Sequence, residues 1–334
     1  MSFSKLKGQD HAVQILRSSL RSGRTPHAYL FIGPDGVGRK LAAMTLAKAV
    51  NCEESKYDSC DRCPSCMKID HESHGDLKII EPEETGVIRV DAIRKLQKSL
   101  SFRHVEARVK VGIVMGAESM NPSSSNAILK TLEEPTTNTL IILLAPGAGT
   151  VLSTIVSRCQ VLRFRPLPLE VVEEKLKKKY DLDEPSVKLI SAMSNGSLGK
   201  AFELATDEKF VSETRPATIK DLMRLVALRR EGLHFRFAQE IAGSEDSRRI
   251  LESLKLWYRD LLLTKLGVGA EKMLNRDLAD VAGQCSALLT TEEIMRGIDR
   301  MEEAEKSLDA RSNPQLTIEV LVNDLAGNRG RANF

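Results

Sequence analysis

The sequence predicts an α/β domain built on a parallel sheet, then a small helical lid, then an all-α C-terminal domain. Three observations carry this. Short apolar runs alternate with helical patterns through the first half, which is how a sheet covered on both faces reads. A Gly-rich turn follows the first of those runs. Beyond Arg165-Pro166-Leu167-Pro168, where two prolines break regular structure, every pattern is helical.

The elements follow in order. Ala28-Tyr29-Leu30-Phe31-Ile32 is a short buried strand, and Leu41 to Val50 reads as a helix. Leu77 to Ile80 is a second strand. Val90 to Leu100 is an amphipathic helix with Ile93, Leu96 and Leu100 on one face. Val109 to Met115 is a third strand, Ser123 to Leu132 a helix, Leu140 to Ala145 a fourth strand and Val161 to Phe164 a fifth. Leu169 to Tyr180 and Pro185 to Ser194 are helices. Asn195-Gly196 is a stop, and Gly199 to Ala205 restarts a helix. The expected domains are therefore 1–165 with an inserted metal module at about 50–70, a lid at 166–206, and a helical domain at 207–334.

Composition bounds the function. The chain has 334 residues and a net charge of +3, so any contact with nucleic acid must come from a local patch. Aromatics make up only 4%, which argues against base-stacking platforms. No apolar run reaches the roughly 18 residues of a membrane span, and Met1 to Lys7 lacks a signal-peptide core. The expected compartment is cytoplasmic.

Gly33-Pro34-Asp35-Gly36-Val37-Gly38-Arg39-Lys40 stands between a strand and a helix, the setting in which G-x-x-x-x-G-K-[ST] cradles phosphates. Gly33, Gly36 and Gly38 supply the loop. Arg39, however, stands where the phosphate-binding Lys belongs, and Lys40 where a hydroxyl should hold Mg²⁺. An ammonium cannot ligate a cation. The third strand then runs into Met115-Gly116 where an Asp-Glu pair should complete an ATPase site. Glu118 is expected to be out of register. The pattern is that of a phosphate-binding fold that has lost hydrolysis, and ATP binding is doubtful.

Cys52, Cys60, Cys63 and Cys66 give C-x₇-C-x₂-C-x₂-C. Four soft thiolates at this spacing suit a structural tetrahedral Zn²⁺, with an iron–sulfur cluster as the lesser alternative. All four positions are sulfur, so no open coordination site is left for catalysis, and His71 and His74 are bystanders. Cys285 is expected on a buried helix face.

His27 to Phe31, the glycine loop, Asn51-Cys52, the cysteine cluster, Leu129-Lys130-Thr131-Leu132-Glu133-Glu134-Pro135 and Ser157-Arg158-Cys159 occur in one order. Together they resemble the AAA+ subunits of bacterial DNA polymerase III clamp loaders, across roughly the first 205 residues. Within that family the chain is similar to the non-hydrolysing delta-prime type rather than to gamma/tau. It lacks G-K-[ST], the Asp-Glu pair, the sensor Thr (Ala145-Pro146-Gly147 instead) and the sensor Arg after Gly196-Ser197-Leu198. Trp257 to Leu262 and Asn313 to Leu316 also look like delta-prime segments.

The resemblance implies a P-loop NTPase-like AAA+ fold with a helical collar. It implies a stator role beside gamma/tau and delta subunits, the beta sliding clamp, and primer–template DNA gripped through its phosphates. It implies that Arg158 acts in trans as an arginine finger, with Ser157 and Cys159 positioning its loop. Two rivals remain: a divergent active ATPase, and a zinc-ribbon DNA-binding module.

Overall fold

A computed structural model of the chain describes residues 2–228, 233–309 and 312–326. Its first half contains helix α1 (Asp10–Ser22), strand β1 (Ala28–Ile32), α2 (Arg39–Asn51), α3 (Pro64–Asp70), β2 (Leu77–Ile80) and α4 (Val90–Ser101). It continues with β3 (Lys110–Val114), α5 (Pro122–Glu133), β4 (Thr139–Ala145), α6 (Ser153–Val156) and β5 (Gln160–Arg163). The five strands form one sheet in the order β2-β3-β4-β1-β5, with every pairing parallel.

The apolar runs make sense in this sheet. β1 and β4 lie in its interior and are buried along their whole length, so neither face needs polar residues. Alternation sends Tyr29, Phe31 and Ile142 to one face, where they pack with Leu16, Ala43 and Leu46. Leu30, Ile32, Ile141 and Leu143 face the other side and meet Ile93, Leu96 and Ile128. Gly112 in β3 lets α4 approach closely. A Cβ there would lie 2.9 Å from Leu96 Cδ1.

The expected strands and their intervening helices lie within two residues of the observed ones. Three helices, α1, α3 and the four-residue α6, were not expected. α1 lacks a cap signature because Gln9, at its N-cap, makes no side-chain cap bond. Instead Gln9 Nε2 donates to the carbonyls of Val37 (3.2 Å) and Arg165 (2.7 Å), and its Oε1 accepts from the Arg165 N–H (3.2 Å). α3 is hidden by chemistry: its N-cap is Cys63, whose sulfur accepts from the Cys66 N–H.

After Arg163 every described element is helical: α7 (Leu169–Lys179), α8 (Glu184–Met193), α9 (Leu198–Thr206), α10 (Arg215–Leu228), α11 (Leu233–Ala242), α12 (Ser247–Lys265), α13 (Ala279–Leu288), α14 (Thr291–Asp309) and α15 (Pro314–Leu325). The chain divides into two compact units. One runs to Val171 and includes Gly196–Gly199; the other comprises Val172–Asn195 and the residues from Lys200 onward. The second has its own core around Trp257, Leu261, Met301 and Ile318. Cys285 is buried in α13, where burial pushes its thiol pKa up and leaves it a packing group.

Candidate functional site

The glycine loop leaves β1 at the carboxyl edge of the sheet, where open α/β sheets place their ligands. Gly33, Gly36 and Gly38 all have positive φ, at 150°, 72° and 104°. Space as well as conformation excludes a side chain at the first two. A Cβ on Gly33 would sit 2.2 Å from the Phe164 carbonyl oxygen, and one on Gly36 would sit 2.2 Å from Ser197 Oγ. The Gly36 carbonyl accepts from the N–H groups of Leu198 (3.1 Å) and Gly199 (3.3 Å), at the start of α9.

Two cations stand where the phosphate-binding lysine and the metal-binding hydroxyl would be. Arg39 is buried and ion-paired to Asp35, four residues earlier in the same loop. Lys40 pairs with Glu72 (3.2 Å) and Glu81 (3.4 Å). Burial works against its charge, but the two carboxylates outweigh that and hold its pKa above the usual lysine value. Asp35, Arg39 and Lys40, with Leu41, Met115 and Gly116, line a cleft of about 270 Å³.

Glu118 corrects the expectation drawn from sequence. The short 3₁₀ turn Ala117–Ser119 brings it back into this cleft rather than out of register. Its Oε2 is buried with no hydrogen-bond partner among the described residues. Burial raises its carboxyl pKa, against the pull of the Arg39 charge. The sequence signal was a carboxylate shortly after β3, displaced from the usual position by Met115-Gly116.

The four cysteines converge. The sulfurs of Cys52, Cys60, Cys63 and Cys66 lie within 4.8 Å of one another, so they could hold a metal ion. The donor set fits a closed four-sulfur shell. Backbone N–H groups already point at the sulfurs: Ser55 at Cys52 (3.2 Å), Cys63 at Cys60 (3.2 Å) and Cys66 at Cys63 (3.4 Å). Such donors stabilise thiolates. Burial pushes the Cys66 thiol up, a cost that coordination to a divalent cation reverses. His71 and His74 are not part of the group. Lys48, fully buried on α2, ties the module down through Asp61 (2.6 Å) and Asp70 (2.9 Å).

Ser157, Arg158 and Cys159 form the turn between α6 and β5. Ser157 Oγ donates to the Thr154 carbonyl (3.0 Å). Arg158 donates to the same carbonyl (2.9 Å) and pairs with Glu133 at the end of α5 (2.6 Å). Glu133, whose pairing with Arg158 was not anticipated, belongs to the Leu129–Pro135 segment that the sequence did single out. Cys159 packs against the core, and burial pushes its thiol up to about 12, so it is a packing group rather than a nucleophile. The structure thus brings the glycine loop, Arg39 and Lys40 together, and the four cysteines together. Arg158 does not line the loop's cleft.

No described helix is long and apolar enough to cross a membrane. Residues 8–168 match the family model described as DNA polymerase III, delta subunit. The chain is 26% identical over 343 residues to the DNA polymerase III subunit tau of Bacillus subtilis, covering 96% of this chain and 60% of that protein. Among solved structures it is similar to a gamma-subunit-related protein of Thermotoga maritima, with a TM-score of 0.46, 16% identity, and coverage of 94% of this chain and 98% of that one. It is 31% identical over 319 residues to the DNA polymerase III subunit delta′ of Bacillus subtilis, covering 94% of this chain and 95% of that protein. The chain therefore belongs to the delta-prime family of DNA polymerase III clamp-loader subunits.

Proposed function

We propose that this chain is a non-hydrolysing stator that helps load the sliding clamp onto primed DNA, and that it acts on ATP only through its neighbours. The observation that carries the reading is Lys40. Where a magnesium-binding hydroxyl would stand there is an ammonium held by Glu72 and Glu81. A second positive charge at that point repels a divalent cation instead of ligating it. Gly33, Gly36 and Gly38 keep the shape of the phosphate cradle, while Asp35 engages Arg39, the cation at the phosphate-binding lysine's position.

Arg158 is the arginine finger of this reading. A guanidinium is always charged and its planar fork suits the charge that develops on a transferring phosphoryl group. Thr154 and Glu133 supply two anchors for that fork, and Ser157 and Cys159 fix the turn that presents it. The partners are gamma/tau and delta subunits, the beta clamp and primer–template DNA, the last contacted through phosphates without base reading. The metal is structural Zn²⁺, and the compartment is the cytoplasm. The second unit serves as the collar on which the subunits assemble.

A divergent ATPase is the second reading, and Glu118 in the cleft is what favours it: a carboxylate is there to orient water. It fails on the metal, for which the cleft offers Lys40. ATPase assays on the chain alone, and mixed with gamma/tau, delta, clamp and primed DNA, separate the two. Turnover confined to the mixture fits the stator; magnesium-dependent turnover by the chain alone fits the motor.

A further inference from the structure

The strand β5 ends the sheet, and no strand among the described residues pairs with its outer edge. The Phe164 N–H donates inward to the Ile32 carbonyl at 2.7 Å. In a parallel ladder successive residues alternate in direction, so the N–H and C=O groups of Val161 and Arg163 face away from β1. Neither residue's outward groups have a partner among the described residues. At the next outward position, Arg165, the pairing has already happened: the buried Gln9 side chain accepts from the Arg165 N–H and donates to its carbonyl. A side-chain amide there does what the peptide group of a sixth strand would do.

Beside this edge lies a cleft of about 710 Å³, lined by Val161, Arg163 and Arg165, by Ile15 and His11 of α1, and by Val156. Its volume suits a few residues of extended chain. Arg163 and Arg165 are exposed and have no ion-pair partner among the described residues, while Asp10 is the one carboxylate in the lining. Val161, Val156 and Ile15 give it an apolar floor.

We propose that this edge is a docking site for an acidic, extended segment of a partner protein, which adds to β5 as a sixth strand. The partner's backbone pairs with Val161 and Arg163, continuing the row that Gln9 begins. Its carboxylates meet Arg163 and Arg165, and its alternate apolar side chains lie on Val161 and Val156. Unpaired edges are otherwise a liability that proteins cover or blunt. This site is independent of the stator reading, because it uses neither the glycine loop nor Arg158.

The test uses the full chain and a labelled, end-capped octapeptide of alternating glutamate and valine. Fluorescence anisotropy reads binding, and amide hydrogen exchange reads the edge. The expected result is saturable binding, with slowed exchange at Val161 and Arg163. Val161→Pro removes one outward N–H without touching the ladder to β1 and should weaken binding about fivefold or more. Arg163→Glu with Arg165→Glu, both exposed and safe for folding, should weaken it at least about tenfold. A fully N-methylated peptide and a lysine–valine peptide should not bind. Three results would overturn the proposal: no binding at about 1 mM, equal binding of the N-methylated peptide, or exchange at the two amides unchanged at saturation. Protection of those amides by the chain's own dimerisation, lost on dilution, would also overturn it, since a second copy would then be the occupant.

Discussion

Lys40 and Arg39 are the two residues on which the proposed loss of hydrolysis rests. The glycines keep the loop in shape because a Cβ on Gly33 or Gly36 would collide with Phe164 or Ser197. What changed is which groups the cations satisfy: Asp35 for Arg39, Glu72 and Glu81 for Lys40. Replacing both, as Arg39→Lys with Lys40→Thr, should restore binding of magnesium-ATP measurable by calorimetry. It should not restore turnover, because Met115 and Gly116 still stand where the metal-binding acid would be. Appreciable turnover by that variant would show that Glu118 suffices as the catalytic carboxylate. At Arg158 the ion pair to Glu133 is part-exposed and worth at most about 1 kcal/mol, so Arg158→Ala should leave thermal stability essentially unchanged. The identity of these residues was plain in the sequence. Their partners were not: Glu72, Glu81 and Glu133 reach them across the fold, and spacing along the chain carries no record of that.

At the scale of elements, α2 is the member that links two sites. It starts at the glycine loop with Arg39, is pinned in its last turn by Lys48, and ends at Asn51, next to Cys52, the first of the four cysteines. Asn51 fastens that end to the start of β3, accepting from the N–H groups of Arg108 and Val109 (2.9 Å each) and donating to the Val109 carbonyl (2.9 Å). Stripping the metal with a thiol-reactive reagent and a chelator should therefore release zinc and lower the melting temperature of the first unit by several degrees. An unchanged melting curve would mean that the cysteines do not hold a structural ion.

The connection from α4 to β3 depends on one carboxylate. Burial works to raise the Asp76 pKa, but the N–H groups of Glu106, Ala107 and Val105 outweigh it and hold the group below the usual aspartate value. Its stabilisation is thus fully present above the unfolded value of roughly 4, and is lost as pH falls through the lower folded value. Asp76→Asn should flatten that part of the acid-unfolding curve, which circular dichroism at stepped pH would show. The strands were legible because a central parallel strand is apolar on both faces and reads as an unbroken run. α1 was not, since the residue that would signal its start, Gln9, spends its amide on Val37 and Arg165 instead of on a cap.

For the whole molecule, the change from alternating strands and helices to helices alone was visible at Arg165–Pro168, where prolines and the end of the apolar runs coincide. The return of Gly196–Gly199 to the first unit was not visible, because it is fixed by the Gly36 carbonyl and by Leu167, whose N–H donates to the Gly196 carbonyl (2.9 Å). The second unit also holds a polar knot that no periodicity predicts. Arg215, 2% exposed, donates to Asn275 Oδ1 and Asp277 Oδ2 at 2.5 Å each, and fully buried Asp260 gathers the N–H groups of Leu274 and Asn275. Removing one member of such a network strands the others, at a cost of roughly 3 kcal/mol. Arg215→Ala should lower the unfolding transition of the second unit and leave that of the first in place, a contrast calorimetry can resolve.

The central claim is that this chain contributes to ATP hydrolysis without hydrolysing ATP. The most direct measurement is steady-state ATPase of the purified chain, and of its mixture with gamma/tau, delta, clamp and primed DNA, each with wild type and Arg158→Ala. The account predicts no turnover by the chain alone. It predicts clamp- and DNA-stimulated turnover in the mixture, falling by at least about tenfold with Arg158→Ala while the complex still assembles. Magnesium-dependent turnover by the chain alone, or a mixture indifferent to Arg158→Ala, would contradict it.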